Sequence, residues 1–530
     1  MRAGNKAEGG RGPDRRGPHC SPRGRCVLGG LTAVVLQLVC PPGASGQQVD
    51  QHQAALVVQQ AMVEAIASAE RSVVAIARVR KRARGLSDQP GRDGFPAVKD
   101  GVPRLQVPPT SPDFVPQEFA TGVIIDRQGH ILTNYHVLGN PQENDYYVWV
   151  QRRPFRVTGV EVPEEVRAGD PWTDLAVLKI AANDLQPIRF GDASKLRKGM
   201  CVIALGNPYG IARDGEASAS SGIVSNLRRA VAAGEPGQQY DTKLQSVHQF
   251  GTLIQTDACL NLGTSGGALI NLEGKMVGLT TSLAALTGYE QPAGFAIPVD
   301  EAFHQTLETL KQGRVPSYGF LGVQPQSLSV ADRQAGRFGA RVSRVVPGTP
   351  ADQAGLREDD VITHVDDDEV FDENTLFREL SRRPAESEVR LTIHRPHRIL
   401  DGQRTVTATA VLSKKYIDTA KKAFSQVEPP QWRGLRVEYL SALPPEWDGF
   451  GRQAGDGQRS VAVLAVERGS AAWNSGLRPG QFISHVESRR VETPKEFFAA
   501  VVDKKQDKVR LRLSGPPAEE AIRIVPPSKR

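Results

Sequence analysis

One turn in this 530-residue chain has the residue types that a serine nucleophile needs. Ser265 lies in Gly263-Thr-Ser-Gly-Gly267, between two apolar runs. A serine hydroxyl needs an adjacent base, and an acyl transition state needs backbone N–H groups that face the developing oxyanion. Glycine leaves its N–H unhindered and permits a tight turn, so the N–H groups of Gly263 and Ser265 are candidate oxyanion donors. An ordinary Gly/Ser turn is the alternative interpretation.

Two upstream segments supply a candidate base and a candidate carboxylate. Residues 121–137 have the pattern of two strands joined at residues 126–129, with His136 at the end of the second strand. Asp174 directly precedes an apolar strand. Either residue alone would more often be structural. Their order with Ser265 is the order of the chymotrypsin-type triad, in which Asp orients His and His takes the serine proton.

The segments around these residues resemble those of HtrA-type (DegP-like) serine proteases with two PDZ domains. The resemblance extends from about Ser72 to Val299, and the matching segments occur in family order: ILTNYHV, TDLAVLKI, GDASKLRKG, VIALGNPYG, SSGIVS, LIQTDA, GTSGGALIN and GFAIPVD. It implies that His136 is the general base, Asp174 its orienting carboxylate and Ser265 the nucleophile. It also implies a mainly β fold, in which a chymotrypsin-like double β-barrel precedes two α+β PDZ domains.

The nucleophile loop departs from the family pattern, and the residues near it indicate specificity. The family usually shows Asn-Pro-Gly-Asn-Ser-Gly-Gly-Pro, whereas this chain has NLGTSGGA at residues 261–268. Trypsin-like relatives that cut after Lys or Arg carry an aspartate six residues before the serine, where this chain has Cys259. With Thr280, Thr281 and Ser282 on the expected pocket wall, the resemblance implies a preference for small aliphatic residues. The side chain of Cys259 is interpreted as a small buried group rather than a reactive thiol.

The C-terminal half contains an internal repeat. Residues 347–370 align with residues 468–491 at an offset of 121, and both copies predict a short helix that ends at a glycine before a strand. The repeat resembles the central part of PDZ domains, which add a peptide or a chain end to a sheet edge. In the first copy the residues that resemble the carboxylate-binding loop are Gly319, Phe320, Leu321 and Gly322. The second copy offers residues 432–436, WRGLR, as a poorer match.

The N-terminal residues have the pattern of an export signal. The apolar run at residues 27–39 is too short to cross a bilayer comfortably, and Ala44-Ser45-Gly46 after it resembles a signal-peptidase site. The prediction is export to the periplasm or cell envelope, with an uncleaved membrane anchor as the alternative. The predicted domain boundaries are 1–46, signal peptide; 47–119, helix, first strand and exposed loop; 120–313, protease core together with strand 72–79; 316–413, first PDZ domain; 414–430, linker; 431–515, second PDZ domain; and 516–530, tail.

Composition excludes several other classes. The net charge is +7, but residues 1–46 carry seven Lys or Arg against two acids, so the rest of the chain is close to neutral and predicts no nucleic-acid partner. Three of the five cysteines lie in that leader, which leaves Cys201 and Cys259. These two do not make a disulfide scaffold, although one bond between them remains open. No metal-ligand spacing occurs, and no cofactor or metal is expected.

Two functions of different classes are consistent with these patterns. The first is an exported, ATP-independent serine endopeptidase that cleaves misfolded or unfolded proteins and is regulated by PDZ domains that bind peptide segments or C-termini. The second is a non-proteolytic chaperone or peptide-binding scaffold on the same fold. The intact triad favours the first, because removing a triad member costs several powers of ten in rate. The resemblance further implies a homo-oligomer, a trimer or a multiple of one.

Overall fold

The computed structural model of the protein describes most of the chain from residue 51 onward. The described residues are 51–81, 118–141, 143–157, 166–207, 216–230, 246–281, 293–396, 403–417, 424–425, 429–444, 447, 460–515 and 521–528. The predicted signal peptide lies outside these residues, as does nearly all of the predicted exposed loop at 85–118.

The described chain begins with helix α1 (Gln51–Ala69), which a 3-10 turn (Glu70–Ser72) connects to the first strand. Leu56 and Val63, two apolar residues of this helix, have side chains that are 47% and 52% exposed. The C-terminal half of the helix packs on the protein body through Ala65 and Ala69, with Met62 and Ile66 partly buried beside them. Within the described ranges, no helix has the length and apolarity needed to cross a membrane.

The first half of the protease core is an antiparallel sheet. Its strands are β1 (Val73–Arg80), β2 (Glu118–Ile124), β3 (His130–Asn134), β4 (Asn144–Val150), β5 (Arg153–Arg156), β6 (Val166–Asp170) and β7 (Leu175–Lys179). They lie in the order β6-β7-β3-β2-β1-β4-β5. The turn predicted between β2 and β3 is confirmed, since Asp126 Oδ1 accepts the N–H groups of Gln128 and His130. His136 lies in the short helix α2 (Tyr135–Leu138) rather than at the end of the strand.

The second half is a closed antiparallel barrel. Its strands are β8 (Cys201–Gly206), β9 (Ser218–Arg229), β10 (Leu253–Thr256), β11 (Ala268–Ile270), β12 (Met276–Thr281) and β13 (Gly294–Pro298), in the order β10-β13-β12-β11-β8-β9. Helix α3 (Glu301–Lys311) follows, and the Asp300 carboxylate caps it by accepting the N–H of Phe303. One apolar core joins both halves and includes Leu132, Leu205 and Leu279. The predicted protease fold is confirmed.

The first repeat copy forms an α+β domain. Its strands are β14 (Gly319–Phe320), β15 (Val323–Ser327), β16 (Ala340–Val345), β17 (Val361–Val365), β18 (Asp368–Glu369), β19 (Glu388–Pro396), β20 (Gln403–Val411) and β21 (Ser413–Lys414). Its helices are α4 (Val330–Gln334), α5 (Pro350–Gln353) and α6 (Glu373–Ser381). Strand β22 (Phe424–Ser425), from the predicted linker, pairs with β6 of the protease sheet. The linker therefore contributes a strand to the catalytic domain.

The second repeat copy has the same plan. Its strands are β23 (Leu435–Tyr439), β24 (Val461–Val466), β25 (Phe482–Val486), β26 (Arg489–Arg490), β27 (Val509–Leu513) and β28 (Ile522–Val525), and its helices are α7 (Ala471–Asn474) and α8 (Pro494–Val501). The order β23-β24-β25-β27-β28 matches β15-β16-β17-β19-β20. Because β28 pairs with β27, this domain extends beyond its predicted end at residue 515, and part of the predicted tail is a strand.

Candidate active site

The nucleophile loop requires glycine on both sides of the buried Ser265. Gly263 has φ +94°, and a Cβ there would lie 2.6 Å from the ring of Phe119. Gly266 has φ +84°, and its Cβ would collide with the carbonyl oxygen of Thr121. Residues other than glycine rarely adopt this left-handed backbone conformation. At both positions the conformation and the lack of space for a Cβ therefore favour glycine. The sequence interpretation of a constrained nucleophile turn agrees with this geometry.

Strand β2 of the first sheet holds this loop through Thr121. The N–H of Thr121 donates to Ser265 O at 2.9 Å, and its hydroxyl donates to Gly263 O at 2.7 Å. The same hydroxyl accepts the N–H of Asn207 at 2.7 Å. Sequence reasoning did not identify Thr121 as a site residue. No local sequence signal marks it, because its partners Gly263, Ser265 and Asn207 lie far away in the sequence and its burial is known only from the fold.

Thr280, predicted to line the substrate pocket, also supports the nucleophile loop. Its hydroxyl donates to Thr264 O at 2.6 Å, and its carbonyl accepts the N–H of Gly266 at 2.9 Å. The backbone N–H of Thr280 donates to Gly267 O at 2.9 Å. These bonds join β12 to both sides of Ser265. The side-chain hydroxyl of Thr280 is thereby engaged inside the protein.

His136 and Asp174 form a close pair at the junction of α2 and β7. His136 Nδ1 lies 2.8 Å from Asp174 Oδ2, and the backbone N–H of His136 donates to Asp174 Oδ1 at 2.9 Å. An ionised carboxylate only accepts hydrogen bonds, so this contact places the proton on Nδ1 and leaves Nε2 as an acceptor. The hydroxyl of Thr281, another predicted pocket residue, donates to Asp174 Oδ2 at 3.4 Å.

Asp174 belongs to a four-residue turn that Asp170 stabilises. Asp170 pairs with Leu175 across the β6–β7 hairpin, and Asp174 has φ +56°. The Asp170 carboxylate accepts the N–H groups of Trp172 and Thr173 at 3.2 and 3.1 Å. Burial raises the pKa of the Asp170 carboxyl, although these hydrogen bonds act in the opposite direction. Sequence reasoning missed Asp170, whose signal is an aspartate that opens the Asp-Pro-Trp-Thr-Asp turn.

His248 supports the same turn from the second barrel. Its Nε2 lies 3.0 Å from the carbonyl oxygen of Thr173, and its Nδ1 lies 2.6 Å from the hydroxyl oxygen of Thr252. A carbonyl only accepts, so the Nε2 of His248 carries the proton and its Nδ1 accepts from Thr252. Burial lowers the pKa of His248, which favours this neutral imidazole.

The remaining pocket and cysteine predictions have mixed outcomes. The interpretation of Cys259 as a small buried residue is wrong, because its side chain is exposed; its backbone N–H donates to Ser220 Oγ at 2.8 Å. Cys201 and Cys259 are both free thiols, so the disulfide left open by the sequence is not formed. Ser282 lies outside the described residues.

The predicted peptide loops differ between the two repeat copies. In the first, Gly319 and Phe320 form β14, Leu321 is buried in the core, and Gly322 has φ +91°. In the second, the guanidinium of Arg433 donates to four backbone carbonyls: those of Val525 (2.6 Å), Lys504 (2.6 Å), Asp507 (2.7 Å) and Lys505 (3.4 Å).

The two-part core, the bonded His136–Asp174 pair and the glycine-bounded Ser265 are features of a trypsin-like serine peptidase. The trypsin-like peptidase domain family matches residues 120–279, and the PDZ domain family matches residues 319–410. The chain is 31% identical over 398 residues to a probable periplasmic serine endoprotease DegP-like of Chlamydia trachomatis, covering 74% of this chain and 72% of that protein. It is 30% identical over 418 residues to the protein of that description in Halomonas elongata, covering 77% and 79%.

The chain belongs to the DegP-like, HtrA-type family of serine endoproteases. It is accordingly a serine-type endopeptidase with a PDZ module. Among solved structures it is similar to the HtrA-type protease AlgW with decapeptide, at 25% identity and a TM-score of 0.46, covering 67% of this chain and 98% of that one. The two family matches and the two DegP-like relatives agree with the family resemblance that the sequence motifs carry.

Proposed function

We propose that His136, Asp174 and Ser265 cleave peptide bonds through an acyl-enzyme. The observation that carries this proposal is the pairing of His136 Nδ1 with Asp174, together with the bonds that link both catalytic loops to β12. On that strand the hydroxyl of Thr280 bonds the nucleophile loop, and the hydroxyl of Thr281 bonds Asp174. Two consecutive residues of one buried strand therefore fix the nucleophile and the carboxylate relative to each other.

The chemistry assigns one step to each group. Nε2 of His136 takes the proton from Ser265 Oγ as that oxygen attacks the scissile carbonyl carbon. The N–H groups of Gly263 and Ser265 donate to the oxyanion of the tetrahedral intermediate. His136 then protonates the leaving amine, the C–N bond breaks, and the acyl-enzyme remains on Ser265. A water molecule, deprotonated by His136, attacks the ester and releases the new C-terminus.

Casein hydrolysis by the wild type and by Ser265→Ala tests this proposal. The variant should lose at least about a thousandfold in rate, because the remaining groups cannot form the acyl-enzyme. Ser343→Ala, which removes a hydroxyl from the first repeat copy, is the control and should retain the wild-type rate. Casein cleavage by Ser265→Ala at the wild-type rate would refute the assignment.

We propose that the substrates are unfolded or misfolded polypeptides, cut after small aliphatic residues. Cys259 offers no negative charge to a basic side chain, and the nearby Asp257 carboxylate accepts the N–H of Ile223 at 2.7 Å. Mapping the cut sites in casein by mass spectrometry should therefore yield mainly Val, Ala and Ile before the cleaved bond. A majority of cuts after Lys or Arg would contradict this specificity.

We further propose that the loop at residues 319–322 binds peptide C-termini, with its backbone N–H groups taking the carboxylate. The left-handed Gly322 supports this, because it turns the chain into the edge strand β15. A peptide with a free carboxylate should bind more tightly than the same peptide with a C-terminal amide. Calorimetric titration checks the difference, and equal affinities would oppose the proposal.

Location and assembly are proposals of the same kind. The relatives are named periplasmic, which supports export to the periplasm or cell envelope, and mass analysis of the mature N-terminus distinguishes cleavage of the leader from its retention as an anchor.

The exposed apolar residues of α1 support a homo-oligomer, a trimer or a multiple of one: Leu56, Val57, Val58 and Val63. Light scattering should give an oligomeric mass, and a monomeric mass would contradict this.

A further inference from the structure

Residues 170–174, which we call the catalytic turn because they include Asp174, are bonded directly by the first PDZ domain. The hydroxyl of Tyr318 donates to the Asp170 carboxylate at the start of the turn. The indole Nε1 of Trp172, inside the turn, donates to the carbonyl of Ser381 at 3.4 Å. The rings of Tyr318 and Trp172 lie 6.1 Å apart, and both residues are buried. Two members of the catalytic turn thus have partners that lie far away in the sequence.

The segment that follows the first PDZ domain covers the same region. Nζ of Lys415 lies 4.8 Å from the centroid of the Trp172 ring, a cation–π contact. Further along, Phe424 and Ser425 pair with Gly169 and Ala168, the two residues that lead into Asp170. The catalytic turn is therefore enclosed by this domain and by the chain that leaves it.

Among these contacts, the bond from Tyr318 acts on the residue that organises the turn. Asp170 is 1% exposed, and its carboxylate also accepts the N–H groups of Trp172 and Thr173 and the hydroxyl of Thr173. Those donors lie within three residues of Asp170 in the sequence, whereas Tyr318 lies 148 residues further along the chain. Removing a donor from a buried carboxylate leaves part of its hydrogen-bonding capacity unmet and favours other arrangements of the turn.

We propose that Tyr318 is a positioning residue for the catalytic carboxylate, acting through Asp170. This inference rests on the proposed role of Asp174 in the triad. Tyr318 touches neither substrate nor the reacting atoms. Its hydroxyl fixes the Asp170 carboxylate, that carboxylate fixes Thr173, and the next residue is Asp174 in a left-handed conformation that the turn imposes.

Loss of the Tyr318 hydroxyl should reduce the chemical step rather than substrate binding. A small displacement of the Asp174 carboxylate lengthens its contact with His136 Nδ1, and a displacement of about 1 Å is enough to cost about a hundredfold in rate. A residue that merely packs two domains together would instead change stability and leave kcat unaltered.

A second interdomain tyrosine, Tyr439, is a matched control for a residue that only packs two domains together. The hydroxyl of Tyr439, in the second PDZ domain, donates to the carboxylate of Glu386 in the first. Tyr439 is 9% exposed, so it is also a buried tyrosine that bonds a carboxylate of a neighbouring domain. It differs from Tyr318 in that the carboxylate it bonds lies outside the turn that carries Asp174. The change Tyr→Phe removes one hydroxyl in each case and keeps the ring.

The experiment measures kcat and KM of the full-length protein on a short chromogenic peptide that ends in valine. Tyr318→Phe should lower kcat about tenfold or more and leave KM within about twofold, because positioning rather than binding is lost. Tyr439→Phe should leave both constants within about twofold of the wild type. Thermal unfolding of both variants should give similar shifts in Tm.

A kcat of Tyr318→Phe within about twofold of the wild type overturns the inference, as does an equal loss in Tyr439→Phe. Ser265→Ala is measured alongside. An active Ser265→Ala refutes the triad itself, whereas an inactive Ser265→Ala beside a fully active Tyr318→Phe refutes only the positioning role. Should Tyr318→Phe not fold, Asp170→Asn replaces it: kcat should fall at least about threefold with KM within about twofold, and an unaltered kcat overturns the inference, because Tyr318 is proposed to act through this carboxylate.

Discussion

The two PDZ domains share a sheet order and nine identical residues in their repeat, yet their first loops have different surroundings. In the first domain, Tyr318 precedes the loop and bonds the catalytic turn. In the second, Arg433 attaches the loop to the final strand of its own domain. The two copies of one fold therefore make different contacts through the few residues around a single turn.

The difference is visible at equivalent positions. Gly322 and Gly434 both adopt positive φ, and the carbonyl of each accepts one backbone N–H, that of Val346 or Glu467 respectively. The residue before the glycine is the buried Leu321 in the first domain, and it is Arg433 in the second. In the second loop, Trp432 and Leu435 also exchange both backbone hydrogen bonds, which uses N–H groups that a peptide carboxylate would need.

The largest expected effect comes from removing the carboxylate that each interdomain tyrosine bonds. Asp170→Ala leaves the buried hydroxyl of Tyr318 and the half-buried hydroxyl of Thr173 without this acceptor, so kcat on a short peptide should fall by about a hundredfold or more. Glu386→Ala removes the equivalent acceptor of Tyr439 and should leave kcat within about twofold. Steady-state kinetics measure both variants. Similar losses in the two would erase the proposed difference between the domains.

A smaller effect is expected in the second domain. Arg433→Leu introduces the residue type of the first domain and removes four bonds to backbone carbonyls, so the free energy of unfolding of this domain should fall by about 1–3 kcal/mol. Arg490→Leu, which removes an exposed ion pair with Glu492, should cost less than about 1 kcal/mol. Urea unfolding gives the comparison, and kcat should stay constant. A drop in kcat for Arg433→Leu would show that the second domain also reaches the catalytic turn.

The smallest effect concerns pH. Because burial lowers the pKa of His248, the unfolded chain takes up a proton at a higher pH than the folded protein does. Stability should therefore fall as pH drops below about 6.5, by at most about 1.4 kcal/mol per pH unit for this one group. His248→Gln should flatten that dependence between pH 7 and pH 5, measured by chemical denaturation at each pH.

His485→Gln in the second PDZ domain is the matched control for this pH dependence. Burial also lowers the pKa of His485, but its half-buried imidazole remains within reach of water. The substitution should therefore change the slope less than His248→Gln does. An unaltered slope in His248→Gln would exclude His248 as the titrating group.

The turn at residues 126–129 and the repeat could be predicted because each depends on local residue patterns, whereas the triad was assigned from motifs and their order along the chain and stays a prediction. Thr121 and Tyr318 could not, since their partners lie far away in the sequence and only the folded chain brings them together. The exposure of Cys259 depends on how its loop lies on the barrel, which no periodicity encodes. Strand β28 was not predicted, because a segment that contains Pro and Glu separates it from β27 in the sequence. Only the tertiary structure determines that these two strands pair.

Treating the full-length protein with a fluorophosphonate and identifying the modified residue tests most directly whether Ser265 is the nucleophile. Tandem mass spectrometry should locate one phosphonyl adduct on Ser265, and His136→Ala should slow its formation by at least about a thousandfold, because the serine then has no base. An adduct on another residue, or an unchanged rate in His136→Ala, would contradict the assignment of Ser265 as a nucleophile activated by the His136–Asp174 pair.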